Sequence, residues 1–392
     1  MQLSTYKQQL LEPYDWYSKM RANQPVYYDE QSSTWHVFHY ADVSRVLTEY
    51  ATFSSDPRAT MGWEPEGDAP ILSSILRMDP PRHRQLRSLA TQAFTPRVVA
   101  QMAPRITEIT RELLDAIPTT KKEIDVIHDL AYPLPVTVIA ELLGIPTERR
   151  EDFKRWSDAL VSGDFEGSDE KRDALIAELQ GMYDYFNEVL EERRQHPLND
   201  LVSGLIAAEV DGQHLSNVEL IGFCALLLVA GNETTTNLIS NSILSFDQFP
   251  SELERLRDNP SLVTSAIEET LRYLSPIKAM ARFTKSETII GDQHIDAQNT
   301  IIAWIASANR DETQFPNADR LDIQRDPNRH LAFGHGIHFC LGAPLARLEA
   351  KIALEAMLER FPGRWRVPEE AQLEPISSTI VFGAKKTPMI WG

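Results

Sequence analysis

With 392 residues the chain can bury a large core, and a formal net charge of −18 at pH 7 is the wrong sign for nucleic acid, whose binding needs clustered surplus Lys and Arg. Two cysteines, Cys224 and Cys340, give no disulfide framework, so a reducing compartment, the cytoplasm, is expected. The N-terminal MQLSTYKQQLLEPYDWY has neither a basic region nor an apolar run, so no signal peptide or anchor is expected. The longest apolar run, residues 220–230, is shorter than the ~20 residues a membrane span needs. No repeat, low-complexity tract or Gly/Ser linker marks a domain boundary.

In chain order, residues 26–40 (VYYDEQSSTWHVFHY) place two β-rich segments around a polar turn and predict a hairpin, after which Asp42 is placed to cap a short helix. Residues 53–78 are rich in Pro, Gly, Ser and Asp and predict a long irregular loop, with Ile71, Leu72, Ile75 and Leu76 as its apolar members. In DPPRHRQLRSLATQAFTPR the prolines precede a helix that carries His83 and Arg87 at i, i+4 on one face. Two cationic donors so placed suit a pair of carboxylates, or else form a solvated basic face. Helical periodicity then runs over 98–194, with amphipathic stretches at 106–114, 134–143, 153–161 and 175–190, Gly144 and Pro146 as punctuation, and a polar break at 162–171.

Ser216 and Glu219 form a capping box that opens a long apolar helix reaching about residue 249. Apolar on nearly every face, it belongs at the centre of a domain. Its middle, AGNETTT at 230–236, breaks the pattern with Gly231, Glu233 and three threonines. Threonines can bond back to main-chain carbonyls, so a kink or widened turn is expected there. Burying Glu233 and Thr234 is costly unless they serve a function; the alternative is a notch facing solvent. Further on, LVTSAIEETLRYLSP sets Glu269 and Arg272 at i, i+3 and stops before Pro276, which in isolation reads as a surface ion pair worth little. MARFT with Arg282, TIIGDQHI and NTIIAWIA predict a small mixed sheet, and QFPNADRLDIQR supplies Arg325.

The stretch FGHGIHFCLGAPLARLE (333–349) carries the strongest signal. Gly334 and Gly336 permit a tight turn with positive φ and inward-pointing amides, and Gly342 leaves room for a flat cofactor. Pro344, Leu345, Leu348 and Ile352 follow at helical spacing, so Cys340 lies just before or at the positive end of a helix, where a thiolate is stabilised. A lone cysteine is ordinarily a small buried hydrophobe. The flanking glycines and aromatics, and His338 two residues before the sulfur, point instead to a thiolate ligand for an oxygen-activating iron.

FGHGIHFCLG resembles the cysteine signature of the cytochrome P450 family, and AGNETT, E-x-x-R at Glu269/Arg272, H-x-x-x-R at His83/Arg87 and Arg282 match its other parts in order. The resemblance implies a mainly α fold: one P450 domain over 1–392, with β-rich parts near 25–60 and 281–330 and a helical core near 80–275 and 341–361 around a buried haem. It implies heme b with Cys340 as iron ligand, His83, Arg87, Arg282 and His338 as propionate donors, and Ala230, Gly231, Phe333, Gly334 and Gly342 against the cofactor. Thr234 and Glu233 would be catalytic, carrying protons during oxygen activation. Glu269, Arg272 and Arg325 would brace the cysteine loop, although Ala318 stands where the family has proline. The polar break at 162–171 would join two lid helices.

The implied activity is monooxygenation: hydroxylation of an apolar fatty acid, terpenoid or steroid with O2 and two electrons from a ferredoxin or flavodoxin and its reductase. Ile71, Leu72, Ile75, Leu76, Leu227, Ile277, Met280, Ile380 and Val381 would line the pocket, with Arg58 and Lys278 as candidate polar anchors. Arg84, Arg347 and Lys351, for which the sequence shows no internal partner, would form the donor's docking face. A cytoplasmic monomer without membrane or nucleic-acid partners is expected. A peroxide-driven peroxygenase, which the Glu233/Thr234 pair argues against, and a non-catalytic haem-binding sensor are the alternatives.

Overall fold

The structure, a computed structural model, describes residues 5–61, 74–162, 169–210, 212–376 and 378–392. Two compact units divide the chain, one made of Met1–Glu64, Thr110–Ala131 and Thr234–Gly392, the other of Pro65–Ile109 and Tyr132–Glu233. The described strands are β1 (Val26–Asp29), β2 (Thr34–Val37), β3 (Phe53–Ser54), β4 (Glu123–Asp125), β5 (Met280–Thr284), β6 (Thr288–Ile290), β7 (Gln293–Ile295), β8 (Thr300–Ala303), β9 (Trp365–Arg366) and β10 (Pro388–Trp391). All belong to the first unit.

The predicted hairpin forms as β1 and β2, antiparallel with Val26 opposite Val37, and becomes the edge of a sheet in the order β1-β2-β8-β5-β3. β8 runs parallel to β2 and antiparallel to β5, so Arg282 lies opposite Ile301. In β8 the side chains alternate between half-buried Thr300 and Ile302 and buried Ile301 and Ala303, as a strand with one covered face requires. The covered face joins Val26, Val37, Val43, Leu47, Phe53 and Ile305 in one core cluster. The helix after the hairpin spans Tyr40–Thr48. Asp42 lies in its first turn but does not cap it; the Tyr40 amide donates to Asp311 Oδ2 at 2.8 Å, a cap from a residue distant in sequence. Residues 53–78 are not wholly irregular, because Pro57–Met61 is helical and Ile75–Arg77 forms a single 3₁₀ turn. Ile71 and Leu72 lie outside the described residues.

Three further strands, β4, β10 and β9, form a second sheet in that order within segments read only as helical or left unassigned. A widened π-type turn occurs at Ile127–Ala131, not at 230–236. The predicted long helix instead runs unbroken over Asn217–Gln248. Its capping box is present: the Ser216 amide and hydroxyl both donate to Glu219 Oε2 at 2.9 Å, and the Glu219 amide returns a bond to Ser216 Oγ at 3.3 Å. By length and composition this one described helix could cross a membrane, yet the core helix of a globular protein passes the same test. Its C-terminal half, within the first unit, buries Thr235, Thr236, Asn237, Ser240, Asn241, Ser242 and Ser245. Several of these hydroxyls and amides fasten neighbouring segments, including the Ala131 carbonyl freed at the widened turn, which accepts from Thr236 Oγ1 at 3.0 Å, and Thr387 Oγ1, 2.7 Å from Ser240 Oγ.

In the second unit the helical stretches appear as Ala103–Asp115, Pro133–Leu142, Arg150–Ser162 and Asp169–Gln195, the first crossing the unit boundary at Thr110. The six residues 163–168 of the polar break lie outside the described residues.

Candidate functional site

Cys340 sits on a loop that the fold casts tightly. Gly334 and Gly336 adopt φ of +73° and +72°, and a Cβ at Gly336 would lie 3.0 Å from Thr48 Cα and 3.1 Å from the Leu47 carbonyl oxygen. The end of the Tyr40–Thr48 helix therefore presses on the loop where only glycine fits. The Cys340 amide donates to the Phe333 carbonyl at 2.8 Å, closing the turn. The following helix, Ala343–Arg360, has Gly342 at its N-cap and Pro344 in its first turn, so the sulfur precedes the positive helix end as the spacing predicts. A Cβ at Gly342 would reach the Cys340 sulfur at 3.9 Å, ordinary contact, so this glycine keeps the sulfur open on that side without being sterically obligatory. The Cys340 side chain is exposed, whereas Cys224 is buried and its thiol is pushed up to about 12 by desolvation.

Arg282 is buried on β5 with Nη1 donating to the Ala281 carbonyl at 2.8 Å, and His338 is half-buried on the cysteine loop. On the long helix, Leu226, Leu227, Val229, Ala230, Gly231, Glu233 and Thr234 remain exposed or half-buried, while Ala225, Leu228, Asn232 and Thr235 at three- and four-residue spacing are buried. Gly231 has a packing reason the sequence did not reveal: a Cβ there would lie 2.9 Å from Ile139 Cδ1, on the Pro133–Leu142 helix of the same unit.

His83 and Arg87 belong to the second unit, on the helix Arg82–Ala93. His83 is only 3% exposed, and burial, with the Arg87 guanidinium adding to it, pushes its pKa down to about 4. At neutral pH its ring is therefore uncharged and carries one N–H donor.

The structure draws Glu269, Arg272 and Arg325 into one cluster. Arg272 binds both Glu269 oxygens at 2.8 and 2.9 Å, and the side chains of both residues are wholly buried. Arg325 Nε adds contacts at 3.1 and 3.2 Å, the Asp322 amide donates at 2.9 Å, and Asn328 Nδ2 at 3.1 Å. Arg272 also donates to the carbonyls of Asn309, Ala318 and Arg320, so the residue standing in place of proline contributes a main-chain acceptor.

Two of the three cations expected at the docking face have partners within the fold. Arg347 is engaged within the fold, where it grips Glu268 with two bonds of 2.7 and 2.8 Å while its guanidinium lies 4.4 Å from the Phe333 ring centroid. His330 holds the same carboxylate at 3.1 Å; burial alone would raise Glu268, but these bonds outweigh it and leave its pKa at about 2. Lys351 pairs with Glu355 one turn along its helix. Of the three, Arg84 is exposed and the other two are half-buried. Sequence reasoning also passes over Glu349, nine residues beyond Cys340, which is buried with its carboxyl raised well above the usual range by desolvation and whose Oε1 has no hydrogen-bond partner among the described residues.

Among the described residues no group of three His, Cys, Asp or Glu side chains is placed to hold a metal ion. The chemistry of a single soft thiolate before a helix N-terminus fits a metal that arrives in a prosthetic group bringing its other ligands, as haem does. The comparisons agree. The family profile described as "Cytochrome P450" matches residues 1–391. "Cytochrome P450 109" of Bacillus spizizenii is 44% identical over 383 residues, covering 97% of this chain and 92% of that protein. "Erythromycin C-12 hydroxylase" of Saccharopolyspora erythraea is 40% identical over 385 residues, 96% of this chain and 94% of that protein. The crystal structure of CYP109E1 from Bacillus megaterium in complex with corticosterone superposes with a TM-score of 0.89 at 39% identity, covering 98% of this chain and 99% of that one; its testosterone complex gives 0.86. A family match over almost the full length, together with relatives at this identity and coverage, establishes that the chain belongs to the cytochrome P450 family of haem-thiolate monooxygenases.

Proposed function

We propose that the chain binds heme b through the Cys340 thiolate and hydroxylates an apolar, medium-sized molecule of the fatty acid, terpenoid or steroid class, using O2 and two electrons from a ferredoxin or flavodoxin with its reductase. The observation that carries this reading is the exposed Cys340 thiol on a glycine-shaped loop before a helix N-terminus, in contrast to the buried Cys224. When bound, the haem supplies the oxygen-activating iron chemistry common to the family.

This chain's own residues do the rest. Arg87 and Arg282 supply charge-assisted donors for the propionates, and His83 and His338 supply ring N–H donors. The Thr234 hydroxyl holds a proton at Oγ1, and the neighbouring Glu233, taking up a proton from solvent and passing it on as the carboxylic acid, replaces it, a general acid–base pair on the accessible part of the long helix. Ala230, Gly231, Phe333, Gly334 and Gly342 keep bulk away from the cofactor. The Glu269, Arg272 and Arg325 cluster braces the segment leading to the cysteine loop. Ile75, Leu76, Leu227, Ile277, Met280, Ile380 and Val381 offer an apolar lining that excludes water and binds by shape and burial. Relatives solved with corticosterone and testosterone support a small apolar substrate. The protein acts as a single-domain cytoplasmic monomer.

A ligand panel read by the blue shift of the haem Soret band tests the substrate class. Shifts are expected with lauric acid, ionone or testosterone; tight shifts only with large polar macrolides or charged peptides would contradict it. Turnover that needs both O2 and an electron donor is expected, whereas turnover on peroxide alone would identify a peroxygenase, and none at all a sensor.

A further inference from the structure

Two cations were candidates for fixing the polar end of a substrate, and the structure separates them. Arg58 is neutralised locally: its Nε lies 3.2 Å from Asp56 Oδ1, its Nη2 3.5 Å from Oδ2, and its amide donates to the same carboxylate at 2.9 Å. Lys278 is half-buried, and among the described residues no carboxylate pairs with it; its ammonium donates only to the Ser378 carbonyl. Burial holds its pKa below the usual lysine range. One carbonyl occupies one of the three N–H donors of an ammonium, and a partly desolvated positive charge gains from a counter-ion.

The surroundings fix where this charge sits. The Lys278 amide donates to the Ile380 carbonyl at 2.6 Å and its carbonyl accepts from the Ala306 amide at 3.0 Å, so its backbone is bonded on both sides. Ile277 bridges Val381, and the Phe382 amide donates to the Pro276 carbonyl at 2.8 Å. Ser378 Oγ in turn accepts from the amides of Ile380 and Val381 at 3.1 and 3.0 Å, which shapes the turn that Lys278 clips. The neighbours of Lys278 along the chain and across the bridge, Ile277, Met280 and Val381, are half-buried, and Ile380 is 50% exposed. A half-buried cation with no counter-ion among the described residues, on a segment whose neighbouring apolar residues are partly exposed, is the complement of an anionic head on an apolar tail.

We infer that Lys278 is the anchor for a substrate carboxylate, so that the molecule held by Ile277, Met280, Ile380 and Val381 is a free fatty acid or an apolar acid of similar length. This rests on the reading that these residues line the substrate pocket, and it chooses among the classes left open there. An uncharged steroid or terpenoid would cover the same apolar surface and leave the ammonium without its counter-ion.

The test compares laurate with 1-dodecanol and methyl laurate on the haem-loaded protein, by Soret titration and in parallel by calorimetry, in the wild type, Lys278→Met, Lys278→Gln and Lys278→Arg. A charge-assisted contact of this kind gives laurate an advantage of at least about tenfold over dodecanol in the wild type. Lys278→Met and Lys278→Gln should abolish that advantage and leave dodecanol binding unchanged, and Lys278→Arg should keep it. Equal binding of laurate and dodecanol by the wild type would overturn the assignment. So would equal weakening of both ligands in the two neutral variants, which would make Lys278 only a clip for residues 378–380. The carbon monoxide spectrum of the same preparations separates the two levels. A missing thiolate band indicts the haem-thiolate reading, while an intact band without laurate preference in calorimetry leaves that reading standing and overturns the Lys278 assignment.

Discussion

His83 carries a burial cost that becomes visible in acid. Its pKa in the folded chain is about 4, below the ordinary 6.5, so between these values the unfolded chain binds more protons. Stability contributed by the neutral ring is complete above about pH 6.5 and is lost as pH falls toward 4. His83→Gln should therefore flatten the decline of Tm across that window, and an unchanged slope would mean the ring is not held neutral. Thr234 and Glu233 answer to a different measurement. Thr234→Ala should retain haem and ligand binding but divert electrons into peroxide, lowering product per electron consumed; unchanged coupling would remove Thr234 from the proton path. Glu233→Gln should slow turnover without that leak. Such residues were legible because their signal is contiguous, as in AGNETTT or FGHGIHFCLG. The clip of Lys278 on Ser378 and the grip of Arg347 on Glu268 join residues 100 and 79 positions apart, beyond any local pattern.

Elements were legible where they punctuate themselves. The capping box at Ser216 and Glu219 announced the Asn217–Gln248 helix because every atom of the cap lies within four residues. The cap of Tyr40–Thr48 by Asp311 depends on a residue 271 positions away, so the nearer Asp42 was the only candidate in view. Strands of two to four residues such as β4, β9 and β10 are too short to show a period of two, and pairing alone defines them. The segment around Glu269 makes the sharpest prediction at this scale. Removing one partner of a buried pair leaves the other charge uncompensated, a cost of roughly 3–5 kcal/mol. Here the abandoned partners would be two arginines, so Glu269→Ala should aggregate or accumulate without haem. A soluble, fully haem-loaded variant with an unchanged urea midpoint would contradict the bracing role.

For the molecule as a whole, a net charge of −18 sets the terms on which the proposed acidic electron donor is met. Attraction must come from local cations, and of the expected three Arg347 and Lys351 share their charge with Glu268 and Glu355 while Arg84 is exposed. Arg84→Glu should slow reduction by an acidic ferredoxin at low salt and weaken its salt dependence, because exposed charges act on association and are screened beyond about 10 Å at 0.1 M salt. An unchanged rate would place the donor elsewhere. The whole account turns on which cysteine holds the iron, and the absorption spectrum of the reduced protein under carbon monoxide measures that directly. The wild type and Cys224→Ser should show the strongly red-shifted Soret band of thiolate ligation, and Cys340→Ser should lose it. Retention of the band in Cys340→Ser, with its loss in Cys224→Ser, would contradict the account.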